Sequence, residues 1–258
     1  MPHRLGRLPA FLLLVAAATP ARGDECNAYF PLRPDARWVY SEGAAGTSQT
    51  MLRTITVMSV AAGSEVTTAE LQQQVSLPGR PDVIAGTAIT RVRCDASGVT
   101  LTVEGSAGVG GETSGVIKAK LPGLPPDSDL KPGFSWRGDT EVETMDAGAR
   151  VVAQGARGSR VEGVESVTVP AGTFPDALKV ATVQTLTLQR GKDTRYARQQ
   201  LLEWYVRGVG LVKRETRTSQ GKDAAGSIEQ LQSHSGLTSA PASPTGKDGT
   251  GTAFPPTR

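Results

Sequence analysis

The chain has 258 residues, 38% of them apolar and 21% charged, with a formal net charge of +3. Arg4, Arg7 and Arg22 supply that whole excess and lie in the first two dozen residues, so the remainder of the chain is formally neutral, with Lys and Arg scattered among Asp and Glu. A balanced chain offers no basic face to neutralise phosphates, which excludes nucleic acid as a partner class.

Arg4 and Arg7 precede an apolar stretch from Leu8 to Ala18, then Thr19-Pro20 and the small-residue site Ala21-Arg22-Gly23. That order predicts a cleaved secretory signal over residues 1–23 and a mature protein outside the cytoplasm, periplasmic or secreted. The apolar stretch is too short to span a bilayer, which takes about 20 residues, and no later segment approaches that length, so no transmembrane segment is expected after processing. Cys26 sits just past the cleavage zone, but Gly23-Asp24-Glu25 lacks the small and apolar character of a lipidation site. That argues against a lipid anchor on Cys26.

Cys26 and Cys94 are the two cysteines of the chain. In an oxidising compartment a disulfide between them is the default reading, and closing so long a loop stabilises a fold by roughly 4 kcal/mol on the chain-entropy model. A free pair remains open. Redox chemistry normally wants a close C-x-x-C pair with an activated thiolate.

After the leader, the spacing predicts an all-β protein of antiparallel, curved sheets. Leu32-Arg33-Pro34-Asp35-Ala36-Arg37-Trp38 and Leu130-Lys131-Pro132-Gly133-Phe134-Ser135-Trp136 share the pattern Leu, basic, Pro, three residues, Trp. Each reads as a strand entry in which Pro stops an incoming helix and Trp drops an anchor into the core. The stretches from Arg93 to Leu101 and from Tyr205 to Leu211 echo one another too, each with a Gly turn followed by Val-x-Leu. The echo predicts two related halves of about 100 residues, a first β-rich half at 24–104 and a second at 130–218, joined by a Gly- and Pro-rich bridge at 105–129.

Between these landmarks, Ala69, Leu71, Val75 and Leu77 fall on one strand face, and Val99, Leu101 and Val103 alternate with Thr100, Thr102 and Glu104. Glu162 to Gln189 reads as a hairpin turning at Pro170-Ala171-Gly172-Thr173. Asp193 to Val206 has helix-favouring residues and a capping Asp193, but Trp204-Tyr205-Val206 runs straight into a Gly turn and another β-rich run, which favours strand. Residues 219–258 read as a low-complexity, largely disordered tail. From about Ser235 it holds Gly, Ser, Thr, Ala, Pro and Lys, with Phe254 its sole aromatic, too little apolar surface to offset ordering.

Three phrases, Tyr29-Phe30-Pro31-Leu32 with Trp38-Val39-Tyr40, Val169 to Phe174, and Trp204 to Lys213, together resemble the TapB-like family of bacterial exported domains. The resemblance spans most of residues 29–217 and implies a β-rich extracytoplasmic protein, often a lipoprotein, with no catalytic residues to carry over. The residues before Cys26 depart from the lipoprotein pattern.

The residues predict no catalytic site, no metal site and no cofactor. The two histidines are His3, in the leader, and His234, at the edge of the tail, which leaves no Ser-His-Asp or multi-His constellation. No G-x-S-x-G elbow is present, and neither Gly108-Val109-Gly110-Gly111 nor Gly208-Val209-Gly210 completes a phosphate-binding loop. Glu141 and Glu143 share a strand face and could support acid-base chemistry in a cleft, although a solvated face is the commoner meaning of such a pair. Asp127-Ser128-Asp129 could touch calcium, but Pro132 stands where the loop needs its turn glycine. Trp38, Tyr40, Trp136, Trp204 and Tyr205 could line a glycan or lipid groove, yet with few aromatics in the chain core use comes first.

Three functional classes are expected, in order. The first is a non-enzymatic envelope protein holding a hydrophobic or lipid-like small molecule within curved sheets. The second is a module that meets another envelope protein through a sheet edge or its tail. The third is a hydrolase working through carboxylates alone.

Overall fold

The computed structural model describes residues 26–44, 50–77, 79–107, 116–146, 149–220 and 223–237. Twelve strands follow one another in the chain. They are β1 (Arg37–Ala44), β2 (Thr50–Ala62), β3 (Thr67–Leu77), β4 (Arg80–Asp95), β5 (Gly98–Ala107) and β6 (Val116–Pro122). After a 3-10 turn at Asp127–Asp129 come β7 (Ser135–Asp146), β8 (Ala149–Val169), β9 (Gly172–Arg190), β10 (Asp193–Val206), β11 (Gly210–Gln220) and β12 (Asp223–Ser235). Each strand pairs antiparallel with the next, and β1 pairs with β12, so the meander closes into a barrel.

Strand alternation sorts the side chains into lumen and exterior. Tyr40 lies opposite Arg53, Ile55 opposite Gln73, Leu71 opposite Thr90, and Thr90 opposite Val103, which carries one inward face across β1 to β5. The opposite face is charged: Arg91 bonds Glu104 at 2.7 Å and lies 3.9 Å from Glu70. Lys118 and Lys120 of β6 stand across from Glu143 and Glu141 of β7. A transmembrane barrel would present an apolar band about 25 Å tall on this side. Eight strands make a barrel that side chains fill, so twelve need long lumen residues. Trp38, Tyr40, Tyr205, Arg53, Arg157 and Arg214 serve that purpose.

The echo seen in the sequence is a repeat of backbone geometry. Asp35 and Gly133, at the same place in the two Leu-basic-Pro phrases, both have positive φ, at 63° and 89°. Around them the hydrogen bonds match one for one. Ala36 N–H donates to Arg33 O and Phe134 N–H to Lys131 O, both at 3.0 Å. Asp35 and Gly133 donate to Val57 O and Val161 O, while Val57 and Val161 donate back to Ala36 O and Phe134 O. Val57 and Val161 are both fully buried, and each precedes a bulge in its strand. The positive-φ glycines Gly98 and Gly208 stand before Val99 and Val209, both buried. Carried through the registers, β1 to β6 and β7 to β12 are equivalent strand for strand. Six is an even number, so each strand of one half runs in the same direction as its counterpart in the other.

Some expected boundaries move. The segment 105–129, expected as a bridge, holds the end of β5, all of β6 and the 3-10 turn. Within a Gly- and Pro-rich frame, Ala119 and Leu121 still alternate with Lys118 and Lys120. Residues 223–235, expected in the tail, form β12, and its apolar face is disguised because an inward position is filled by Glu229. Asp193–Val206 is strand throughout. Residues 1–25 and 238–258, with the signal segment and most of the expected tail, lie outside the described residues, as do Gly108 to Gly111.

Because the halves share one sheet and one lumen, we expect a single cooperative unfolding transition. Leu231, fully buried on the closing strand, should lower the unfolding free energy by about 2–5 kcal/mol when changed to Ala. Urea titrations followed by far-ultraviolet circular dichroism and by tryptophan emission should coincide; two separated transitions would show halves that unfold independently.

Candidate functional site

One end of the barrel is covered by the segment Cys26–Pro31. A disulfide joins Cys26 to Cys94 at the end of β4. Asn27 Nδ2 donates to Pro125 O at 2.8 Å, Ala28 N–H to both Asp127 oxygens at 3.1 Å, and Gly208 N–H to Ala28 O at 2.6 Å. Asp127 also accepts from Arg207 at 3.3 Å. The Asp127-Ser128-Asp129 turn is therefore a clasp for the cap: its first carboxylate is spent on Ala28 and Arg207. The guanidinium of Arg207 lies 4.9 Å from the centre of the Tyr29 ring, which fastens the same segment from outside.

Beneath the cap the lumen keeps a cavity of about 220 Å³. Phe30 and Pro31 of the cap and Gly123 and Leu124, just after β6, form its roof. From the first half of the barrel come Ile55, Leu71, Leu101, Val103 and Leu121, with Gln73 and Thr90 as polar neighbours. Trp38 and Tyr40 stand between the halves. Trp38 Nε1 donates to Val209 O at 2.6 Å and the Tyr40 hydroxyl to Leu211 O at 2.9 Å, which fixes both rings.

The second half meets this apolar wall with charge. Glu203 of β10 accepts from Arg157 Nη2 at 2.7 Å and from Arg214 Nε at 2.9 Å and Nη2 at 2.8 Å. Glu229 of β12 accepts from Arg214 Nη1 at 3.0 Å and from Arg53 Nη2 of β2. Arg53 Nη1 reaches Gln73 at 3.3 Å, and Gln73 passes the chain on to Thr90 at 2.7 Å. Three guanidinium groups thus share two carboxylates in one ladder along the inner wall from β8 to β2. The accessible surface is divided unequally: the side chains of Arg53, Arg157 and Arg214 keep between 18 and 30%, those of Glu203 and Glu229 0 and 5%. The cavity is lined by Arg53, Arg157 and Arg214 together with Glu203, whose carboxylate is engaged by the last two of them.

Burial and ion pairing work against each other here. Burial pushes Glu203 up, but Arg214 and then Arg157 carry its carboxyl below the usual range. Burial, with Arg214 next, lowers Arg53 to about 10. Arg214 itself, though burial favours its neutral form, is held above the ordinary arginine range by Glu203. Tyr40 is raised by burial against the pull of Arg53, and Tyr205 by burial and Glu203, to which its hydroxyl donates.

The aromatic residues singled out from the sequence divide between two faces. Trp38, Tyr40 and Tyr205 line the cavity. Trp204, one residue from Tyr205, lies on the other face of β10, where Nε1 donates to Glu165 at 2.7 Å and Lys179 and Lys213 flank the ring. Trp136 stacks on Phe134 at the start of β7. Glu141 and Glu143 sit outside: Glu143 takes a two-pronged bond from Arg150, and Glu141 accepts from Gln154. His234 lies across from Trp38 on β12 and does not line the cavity. Arg53, Arg157, Glu203, Arg214 and Glu229 belong to no motif that the sequence reading singles out. Their signal is a charge at an inward position flanked by apolar residues two away, as in Arg53-x-Ile55-x-Val57, Leu201-x-Glu203-x-Tyr205 and Glu229-x-Leu231.

Comparison with known proteins finds fold before function. A family model described as DUF3108-like matches residues 127–228, the greater part of the second half. A lipoprotein candidate from Parabacteroides distasonis ATCC 8503, solved as a crystal structure, shares the fold with a TM-score of 0.60 at 18% identity, over 81% of this chain and 99% of that one. An exported-protein candidate with a YmcC-like fold from Bacteroides fragilis NCTC 9343 does so with a TM-score of 0.56 at 15% identity, over 81% and 100%. No curated protein matches the chain. The matching family thus carries a different name from the TapB-like one that the sequence phrases resemble.

The ladder makes acid stability depend on Glu203. Its folded-state carboxyl titrates below the unfolded value, so its contribution is complete above the ordinary carboxylate range and is lost as pH falls through the depressed folded value. Glu203→Gln leaves Arg157 and Arg214 without their shared partner and should cost about 3–5 kcal/mol at neutral pH. Chemical unfolding at a series of pH values should show the gap between wild type and variant narrowing in strong acid. A constant gap would mean that Glu203 is not charged in the fold.

Proposed function

We propose that this is an exported, non-enzymatic protein that holds a small, largely apolar molecule inside its barrel, in the bacterial cell envelope or secreted from it. The observation that carries the reading is the cavity beneath the cap, walled by Ile55, Leu71, Leu101, Val103 and Leu121 and roofed by Phe30. Such sites are concave, mostly apolar and fitted with a few convergent polar groups. The leader-like start of the chain and the description of its structural neighbours as lipoprotein or exported-protein candidates support the compartment. Glu203, which lines the cavity, and Glu229 are both engaged with arginine, which favours binding over acid-base chemistry. Closure of the barrel also removes the sheet edge that a partner strand would need.

The neutral dye N-phenyl-1-naphthylamine tests this directly, because its emission rises in apolar surroundings. Wild-type protein should bind it saturably. Val103→Trp places an indole in the cavity and should weaken binding at least tenfold while leaving the far-ultraviolet circular dichroism spectrum unchanged. Absence of saturable binding by the wild type would remove the carrier reading.

A further inference from the structure

The equivalence of the two halves shows which lumen residues belong to the shared fold and which are particular to one wall. Arg53 and Arg157 occupy matching positions: each is four residues before the fully buried valine, Val57 or Val161, that bonds the strand-entry turn. Around them the halves differ. Following the registers outward from those valines, Glu203 stands where the first half has Thr90, Arg214 where it has Val103, and Glu229 where it has Ala119. The repeat therefore places an apolar wall directly across from an ionic one, with Arg53 joining them.

Within the ionic wall the charges do not cancel. Glu203 is shared by Arg157 and Arg214, and Glu229 by Arg214 and Arg53, so the ladder carries one positive charge in excess. Glu42, two residues along β1 from Tyr40 and across from Glu229, also attracts Arg53 but belongs to none of these ion pairs. Arg53 faces the cavity, and its Nε–H is buried without a hydrogen-bond partner. A buried donor left unmade costs about 1–3 kcal/mol, and more on a charged group. An anion in the cavity supplies the charge that the ladder lacks, against the part of the Arg53 side chain that remains accessible.

Resting on the carrier reading, we propose that the occupant is an amphiphilic carboxylate: its acid group sits against Arg53 and its hydrocarbon lies on Leu71, Leu101, Val103 and Leu121. Guanidinium and carboxylate make the stronger class of hydrogen bond, charged on both sides. A cavity of 220 Å³ falls below the roughly 300–1,000 Å³ of drug-sized sites and limits the chain to short or medium length.

Isothermal titration of the mature protein with octanoate and with octanol separates the two ideas. Octanoate should bind at least tenfold more tightly than octanol. Arg53→Met should remove that preference by weakening octanoate alone, and Glu229→Gln, which deepens the positive excess, should increase it. The Glu229 variant decides the matter if the Arg53 variant does not fold. Equal binding of the two ligands, or a preference untouched by both substitutions, overturns the carboxylate assignment while leaving the carrier reading standing. Failure of both ligands to bind, with the dye also unbound, takes the carrier reading down with it.

Discussion

The pairing of β1 with β12 is the contact on which the rest of the structure depends. Twelve strands in a meander form a lumen only when the first and last find each other, and here they do so through an irregular register, with a bulge beside Tyr40. That bulge sets Tyr40 across from Leu231 and Glu42 across from Glu229, and so fixes where the β12 carboxylate meets Arg53 and Arg214. Open the seam and Arg53, Arg157, Arg214, Glu203 and Glu229 would be hydrated on the face of a curved sheet, where ion pairs contribute little. Closed, the same groups lie in a medium where an unpaired charge is costly, so closure and pairing are one cooperative event.

A buried ionic ladder is a poor way to stabilise a barrel. Well-packed apolar residues often serve as well or better, and in the first half of this same chain Thr90, Val103 and Ala119 occupy the matching sites with no ion pair among them. The ionic wall therefore needs a reason other than stability. Its geometry supplies one. Both carboxylates are held by guanidinium groups and keep little accessible surface, and the cavity has paired charge on one side and hydrocarbon on the other. The cap, held by the disulfide and by Asp127, keeps bulk water from screening that arrangement at one end.

Much of the architecture is legible from the residues because alternation, Gly turns and Pro-stopped strand entries act locally. The Leu-basic-Pro echo is a shared hydrogen-bonding pattern, down to matching positive-φ residues and matching buried valines. Asp193–Val206 is readable as strand because Trp204-Tyr205-Val206 leads straight into a turn, despite helix-favouring residues before it. The site is not legible in this way. A lumen charge breaks the apolar-inside rule at the very position that would reveal the strand's face, so Glu229 makes β12 look like tail and Glu203 makes β10 look amphipathic in the wrong sense. The partners that make these charges tolerable lie far along the chain: Arg53 and Glu229 are 176 residues apart, Arg157 and Glu203 46. Only closure of the barrel brings Arg53 to Glu229, whereas Arg214 meets Glu203 and Glu229 across neighbouring strands, 11 and 15 residues away.

The two halves therefore record two kinds of constraint on one backbone. Where both keep the same feature, as at the strand-entry turns, the buried valines and the Gly98 and Gly208 turns, the feature serves the fold. Where they differ, as at Thr90 against Glu203 and Val103 against Arg214, the fold tolerates either choice and so does not explain the difference. Arg53 belongs to both groups: it repeats Arg157 in position, yet it reaches over β1 to a carboxylate of the other half. A shared scaffold position has thus been drawn into an arrangement that only one side of the barrel completes, and the cavity lies along that boundary.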